Sequence, residues 1–228
     1  GCAGHSILPF DKLFTAALGV IFSIAGHVEP WPVAAGGSEA IPRALTSLLE
    51  TLGGEVRTGV RVKHASELPA ARAYLFDTSP NQLSSICGDA LPAGYRRRLG
   101  RYRYGPGSFK LDWALDGPIP WSDPRCLEAS TVHLGGTIEE IAAAEKATYR
   151  GGHPERPYVL LCQQSQLDPT RAPNGQHTGY AYCHVPGGSA VDMTEAIERQ
   201  VERFAPGFRD RILARHTMNA QDFERYNP

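Results

Sequence analysis

Trp31-Pro32-Val33-Ala34-Ala35-Gly36-Gly37-Ser38, then an apolar stripe to Leu52, then Gly53-Gly54-Glu55-Val56 running on to Val62, is the stretch on which the fold turns. The paired glycines lead into a helix for which Ser38 is a good N-cap. Ile41, Ala44, Leu45, Leu48, Leu49 and Leu52 recur at helical spacing and give that helix one apolar face. Pro42 falls in its first turns, where a missing N–H costs least, and Gly53 suits a left-handed stop. Glu55 to Lys63 then reads as a returning strand. A glycine-led turn, a helix and a return strand form a common part of nucleotide-binding α/β proteins. The usual first half is missing, because no Gly-x-Gly-x-x-Gly occurs anywhere in the 228 residues. The chain therefore reads as an internal piece of a larger cofactor protein.

Ala73 to Phe76 reads as a second, buried strand that ends in Asp77-Thr78-Ser79-Pro80. Short helical patterns follow at Asn81 to Ile86 and Ala93 to Leu99. Upstream, Pro9 to about His27 reads as a mostly apolar helix ended by Pro30 and Pro32. After Gly105-Pro106-Gly107 the pattern changes. Ser108 to Leu115 alternates, with Phe109, Leu111 and Trp113 on one face. Thr131 to Leu134 and Tyr158 to Gln163 read as strands. Thr137 and Glu140 form a capping box that opens a helix reaching Tyr149. His177 to Val185 alternates again, with Tyr180, Tyr182 and His184 on one face and Ala181 and Cys183 on the other. Asp192 with Glu195 reads as a second capping box, before the stripe Met193, Ile197, Val201 and Phe204; Pro206-Gly207 ends that helix. Arg211 to Thr217 reads as a last strand. Long strands without regular βαβ alternation indicate an α+β or mixed α/β sheet.

The net charge is −1, so no global field points to nucleic acid or an anionic membrane. The dense basic run, Arg96, Arg97, Arg98, Arg101 and Arg103, reads as a solvated helix end. The five cysteines are scattered and never spaced as Cys-x-x-Cys, which argues against a zinc site or a disulfide scaffold and for a reducing compartment. The longest apolar stretch, Leu13 to Ala25, is too short to span a bilayer. The start carries no signal-peptide pattern, and both ends look cut.

Taken together, Ala3-Gly4-His5-Ser6, Trp31-Pro32 with Gly36-Gly37-Ser38, Gly53-Gly54-Glu55-Val56 through Arg61-Val62, Asp77-Thr78-Ser79-Pro80, Tyr104-Gly105-Pro106-Gly107 with Lys110-Leu111-Asp112-Trp113-Ala114-Leu115, Asp168 to Pro173, and Arg203-Phe204-Ala205-Pro206-Gly207-Phe208 carry a resemblance. In order and spacing the chain resembles the middle of phytoene dehydrogenase-like FAD-dependent oxidoreductases, relatives of carotenoid desaturases and flavin amine oxidases. The resemblance implies a Rossmann-type FAD domain interleaved with a mixed-sheet substrate domain. Residues 1–35 would be substrate-domain helices, 36–85 part of the FAD domain, and 86–228 the substrate domain. The family's N-terminal dinucleotide turn and C-terminal FAD segment are not in this sequence.

By the same resemblance, the strand ending in Val62 would sit against the adenine of FAD; ordinary strand core is the other reading. The amides of Gly36, Gly37 and Ser38 could face an anionic or polar group or simply form a cap turn. Thr78, Ser79 and Pro80 close a strand where α/β sheets present loops to ligands, or form a plain turn. Trp113, Tyr180, Tyr182 and His184 could line an apolar substrate cavity or be sheet core. His5 and His184 are the histidines to follow. No Ser/His/Asp or Cys/His arrangement appears, and no residue is assigned a catalytic role; in flavin chemistry the ring takes the hydride while the protein orients and shields it. The expected activity is dehydrogenation or isomerisation of a largely apolar small molecule by a cytoplasmic protein, with peripheral membrane contact compatible with such a substrate. The alternatives are a flavin amine oxidase, or a non-enzymatic binder of the kind that escorts prenylated small GTPases.

Overall fold

Period-two alternation in β1 (Gly107–Leu115) and β4 (His177–Val185) builds the centre of a five-stranded sheet. Its order is β2-β3-β4-β1-β5, with β2 (Thr131–Leu134), β3 (Val159–Cys162) and β5 (Ile212–Met218), and every neighbouring pair is antiparallel. The computed structural model describes residues 1–29 and 31–227. Pro30, one of the two prolines expected to end the first helix, lies outside them.

Register decides which face each side chain takes. Phe109 pairs with Cys183, Leu111 with Ala181 and Trp113 with Gly179, so their side chains share one face with Val159 and Leu161. That face is the core. It packs on Ile197 and Val201 of α6 (Thr194–Glu202) and on Phe208, all fully buried. The opposite face carries Tyr180 beside Asp112 and Cys162, Tyr182 beside Lys110 and Leu160, and His184 beside Ser108. α5 (Ile138–Tyr149) opens with the expected capping box, Thr137 accepting from the Glu140 amide. α6 begins one residue later than the sequence suggests. The Asp192 carboxylate still takes the Thr194 amide at 2.8 Å, but burial of Met193 sets the start of the helix. β5 is an outer strand, mostly exposed, and its pairing with β1 shifts register at Ala114/Leu115.

These strands belong to a unit made of residues 1–44 and 105–223, and residues 45–104 with 224–228 form a second. The first also holds α1 (Thr15–Val28); the division falls within α2 (Ala40–Thr51). α2 ends as expected: Gly53 has φ 82, and the Gly54 amide returns to the Leu49 carbonyl at 2.9 Å. The second unit continues with α3 (Pro80–Cys87) and α4 (Ala93–Leu99).

The two strands expected in this unit, Glu55 to Lys63 and Ala73 to Phe76, do not form. Both segments are irregular and bear no ladder, and Leu75, expected to be buried, is 94% exposed. A strand exists only through its neighbour's N–H and C=O groups, and no described residue supplies that neighbour.

Candidate functional site

An open groove of about 1010 Å³ lies in the second unit. Val60, Val62, Ala73, Leu75, Thr78 and Gln82 are among its lining residues. It brings together Val62, which the family resemblance puts against the cofactor, and Thr78, a candidate for the same site. The backbone amides of Val60, Arg61 and Val62 find no partner among the described residues. Val60 is 66% exposed, so the wall is apolar and unsealed.

Ser79 and Pro80 do something else. Ser79 accepts from the Gln82 amide at 3.3 Å, while the Gln82 side chain accepts from the Ser79 amide at 3.1 Å. Pro80 occupies the first helical position, where its fixed φ is suited. The capping-box spacing of Ser79 and Gln82 is present in the sequence, and it makes the Ser79 hydroxyl the acceptor that opens α3.

Gly36 and Gly37 lie in the first unit, at φ 73 and 115, values that favour glycine. The anion that meets Gly36 is the chain's own. The Gly36 amide donates to Asp168 Oδ2 at 2.8 Å. Arg171 Nε donates to the same oxygen at 2.9 Å, and its terminal nitrogen donates to the Ala34 carbonyl at 2.6 Å. Thr170 adds its amide and hydroxyl to Asp168 Oδ1. Hydrogen bonds from Thr170, then Arg171 and Gly36, hold the Asp168 carboxyl well below the usual range. Residues 34–36 are thus clamped to the turn before β4. Ser38 precedes α2, which starts at Ala40.

Trp113 does not line a cavity. It is 3% exposed, meets Phe208 edge-on at 5.0 Å between ring centres, and donates its indole N–H to Glu198 Oε1 at 3.1 Å. Register forces this, since Trp113 shares the core face with Leu111 and Leu115. The opposite face is the more exposed one. Tyr180 and Tyr182 are half-buried there, and burial raises both phenol pKa values. Lys110 pairs with Asp112, and its ammonium sits 5.0 Å from the Tyr180 ring centre. Cys162 lies 3.4 Å from the Thr131 hydroxyl. The surface is aromatic and polar in alternation, not purely apolar. His184 is on this face but closed off: it is 4% exposed, and its Nδ1 lies 2.8 Å from Glu145 Oε2 on α5. Glu145 has no flag in the sequence beyond a helical position facing inward.

Among the described residues, no group of three or more His, Cys, Asp or Glu could hold a metal ion, and no helix is long and apolar enough to cross a membrane. No family model matches the chain. The chain is similar to pyridine nucleotide-disulfide oxidoreductase domain-containing protein 2 of Rattus norvegicus, at 27% identity over 246 aligned residues, covering 90% of this chain and 42% of that protein. The Mus musculus protein of the same name matches at 27% over 245 residues, with the same coverage. The chain thus spans about two fifths of the length of these relatives. Among solved structures, an oxidoreductase from Methanosarcina mazei shares the fold, with a TM-score of 0.51 and 18% identity over 81% of this chain and 43% of that one. The chain has a mixed helix and antiparallel-sheet fold found in an oxidoreductase, and its sequence is similar to that of proteins named for an oxidoreductase domain.

Proposed function

We propose that the chain is the substrate-binding sheet, with one excursion into the nucleotide-binding domain, of an FAD-dependent oxidoreductase of the phytoene dehydrogenase-like kind. Its substrate is a largely apolar small molecule that is dehydrogenated or isomerised. The observation that carries this reading is the groove in which Val62 and Thr78 meet with free backbone amides between unpaired segments. These residues fit a dinucleotide: a small apolar side chain to pack on adenine, main-chain groups to meet its edge, and a hydroxyl nearby. FAD, when bound, supplies the hydride acceptor. The chain's own part is to hold and orient. Val62 packs against the purine, Thr78 offers its hydroxyl, and Tyr180 and Tyr182 form a wall that positions a flat substrate and excludes water. Trp113 supports that wall from the core side.

The full-length polypeptide, purified and acid-extracted, should release one flavin and be yellow before extraction. Val62→Asp places a charge against the purine and should weaken FAD retention by about tenfold or more, a change worth about 1.4 kcal/mol. Colourless full-length protein that takes up no FAD would refute the reading, and so would unchanged retention in Val62→Asp.

A further inference from the structure

His5 and His133 face each other with their Nε2 atoms 2.8 Å apart. That distance needs one proton between the two nitrogens: one N–H donates and the other lone pair accepts. One added proton leaves an imidazolium–imidazole pair with the bond intact; only when both rings are protonated do two positively charged donors meet with nothing to accept. His5 lies in the helical turn Cys2–Ser6 and His133 on β2, so this bond ties the N-terminal segment to the sheet.

The junction around the pair is close-fitting. Tyr158 donates its hydroxyl to the Gly1 carbonyl at 2.8 Å. The His133 ring lies parallel to that of Tyr158, 5.8 Å away, and Phe22 of α1 meets His5 at 5.2 Å. Gly4 is flush with Tyr158: a Cβ there would sit 2.5 Å from the ring. The titratable groups facing the pair are Cys2, Tyr158, and the buried His184–Glu145 pair, with Tyr182 beside His184. Lys146 of α5 is paired with Asp11 at 2.9 Å. Glu145 is bonded to His184, so it does not offer a free carboxylate to balance a second proton.

We propose that His5 and His133 form a proton-operated latch, which holds the N-terminal segment through α1 on the sheet while one proton lies between them and releases it when both rings are protonated, uncovering Tyr158. Burial first, then a neighbouring histidine (His5 for His133, His184 for His5), lowers His133 to about 4 and His5 below its ordinary value. The sign follows. A histidine whose docked pKa lies below its free value binds fewer protons when docked, so docking is strongest above the free value of 6.5 and is lost as pH falls toward about 4. The inference stands without the FAD reading.

Hydrogen exchange of the full-length protein, corrected for intrinsic rates, tests it. Between about pH 7 and about pH 4.5, protection of residues 4–28 should fall by up to about tenfold for each unit separating docked and free pKa values, while β1 and β4 keep theirs. His133→Phe keeps the ring stack without a proton, and His5→Gln keeps one hydrogen bond without a charge. Each leaves a single buried histidine, so both should lose markedly less protection on acidification than the wild type. Wild-type protection unchanged by acid would overturn the latch, as would a variant that loses protection as the wild type does. Should His133→Phe fail to fold, His5→Gln decides.

Discussion

Replacing Glu198 with alanine tests whether Trp113 is a core anchor. The buried carboxylate accepts the indole N–H of Trp113 at 3.1 Å and both arms of Arg215, at 2.6 and 3.1 Å. Stranding a buried indole N–H costs about 1–3 kcal/mol. Arg215 is 42% exposed in its side chain and can turn to water, so its loss adds about 1 kcal/mol at most. Glu198→Ala should therefore destabilise the chain by about 1–4 kcal/mol. Glu198→Gln keeps an acceptor for the indole and should cost about 1 kcal/mol, mainly the charge facing Arg215. Urea unfolding followed by far-ultraviolet circular dichroism reads both, with Trp113 fluorescence reporting local exposure. Equal losses below about 1 kcal/mol in both variants would show that the indole is not held there. The reasoning that removes Trp113 from the substrate wall would then fail.

Other expectations are as direct. Asp168→Ala should free residues 34–36, seen as faster amide exchange at Gly36, whereas Asp168→Asn should retain part of the clamp. Ser79→Ala should fray α3 at a cost of about 1 kcal/mol, measured by thermal unfolding, without lowering FAD retention, because its hydroxyl caps a helix. Glu140 is held at about 2 by Arg203, the Thr137 amide and Arg156, so its contribution is present above the ordinary carboxylate range and is lost as pH falls toward about 2, as acid titration of stability should show. Cys183 is pushed up to about 12 by burial and should resist alkylation at about pH 8, while half-exposed Cys2 and Cys126 react; peptide mapping separates them.

The sheet was legible because its signals are local. Alternation in β1 and β4, the capping box of α5 and the glycine stop of α2 each depend on residues a few positions apart. What was not legible depended on partners far along the chain. Glu55 to Lys63 has a strand's pattern, but a strand needs a neighbour, which nothing in its own letters supplies. Alternation told which aromatics share a face but not which face meets α6, so Trp113 and Tyr180 were both candidates for a cavity wall. The Asp168 partner of Gly36 lies 132 residues away, and the Glu145 partner of His184 lies 39 away. Such pairs follow from topology. The Ser79–Gln82 spacing was local and readable, yet the same residues also fit a ligand loop, and only the hydrogen bonds separated the two uses.

One flank of the sheet finishes at β5, where main-chain groups would offer a template to any incoming strand. Arg215 and His216 stand on that rim, and the shift at Ala114/Leu115 breaks the straight line an added chain would need to follow. Docking a further strand would mean stripping water from a guanidinium already committed to Glu198. Charge on this outer strand and the break in its register both disfavour edge-to-edge pairing.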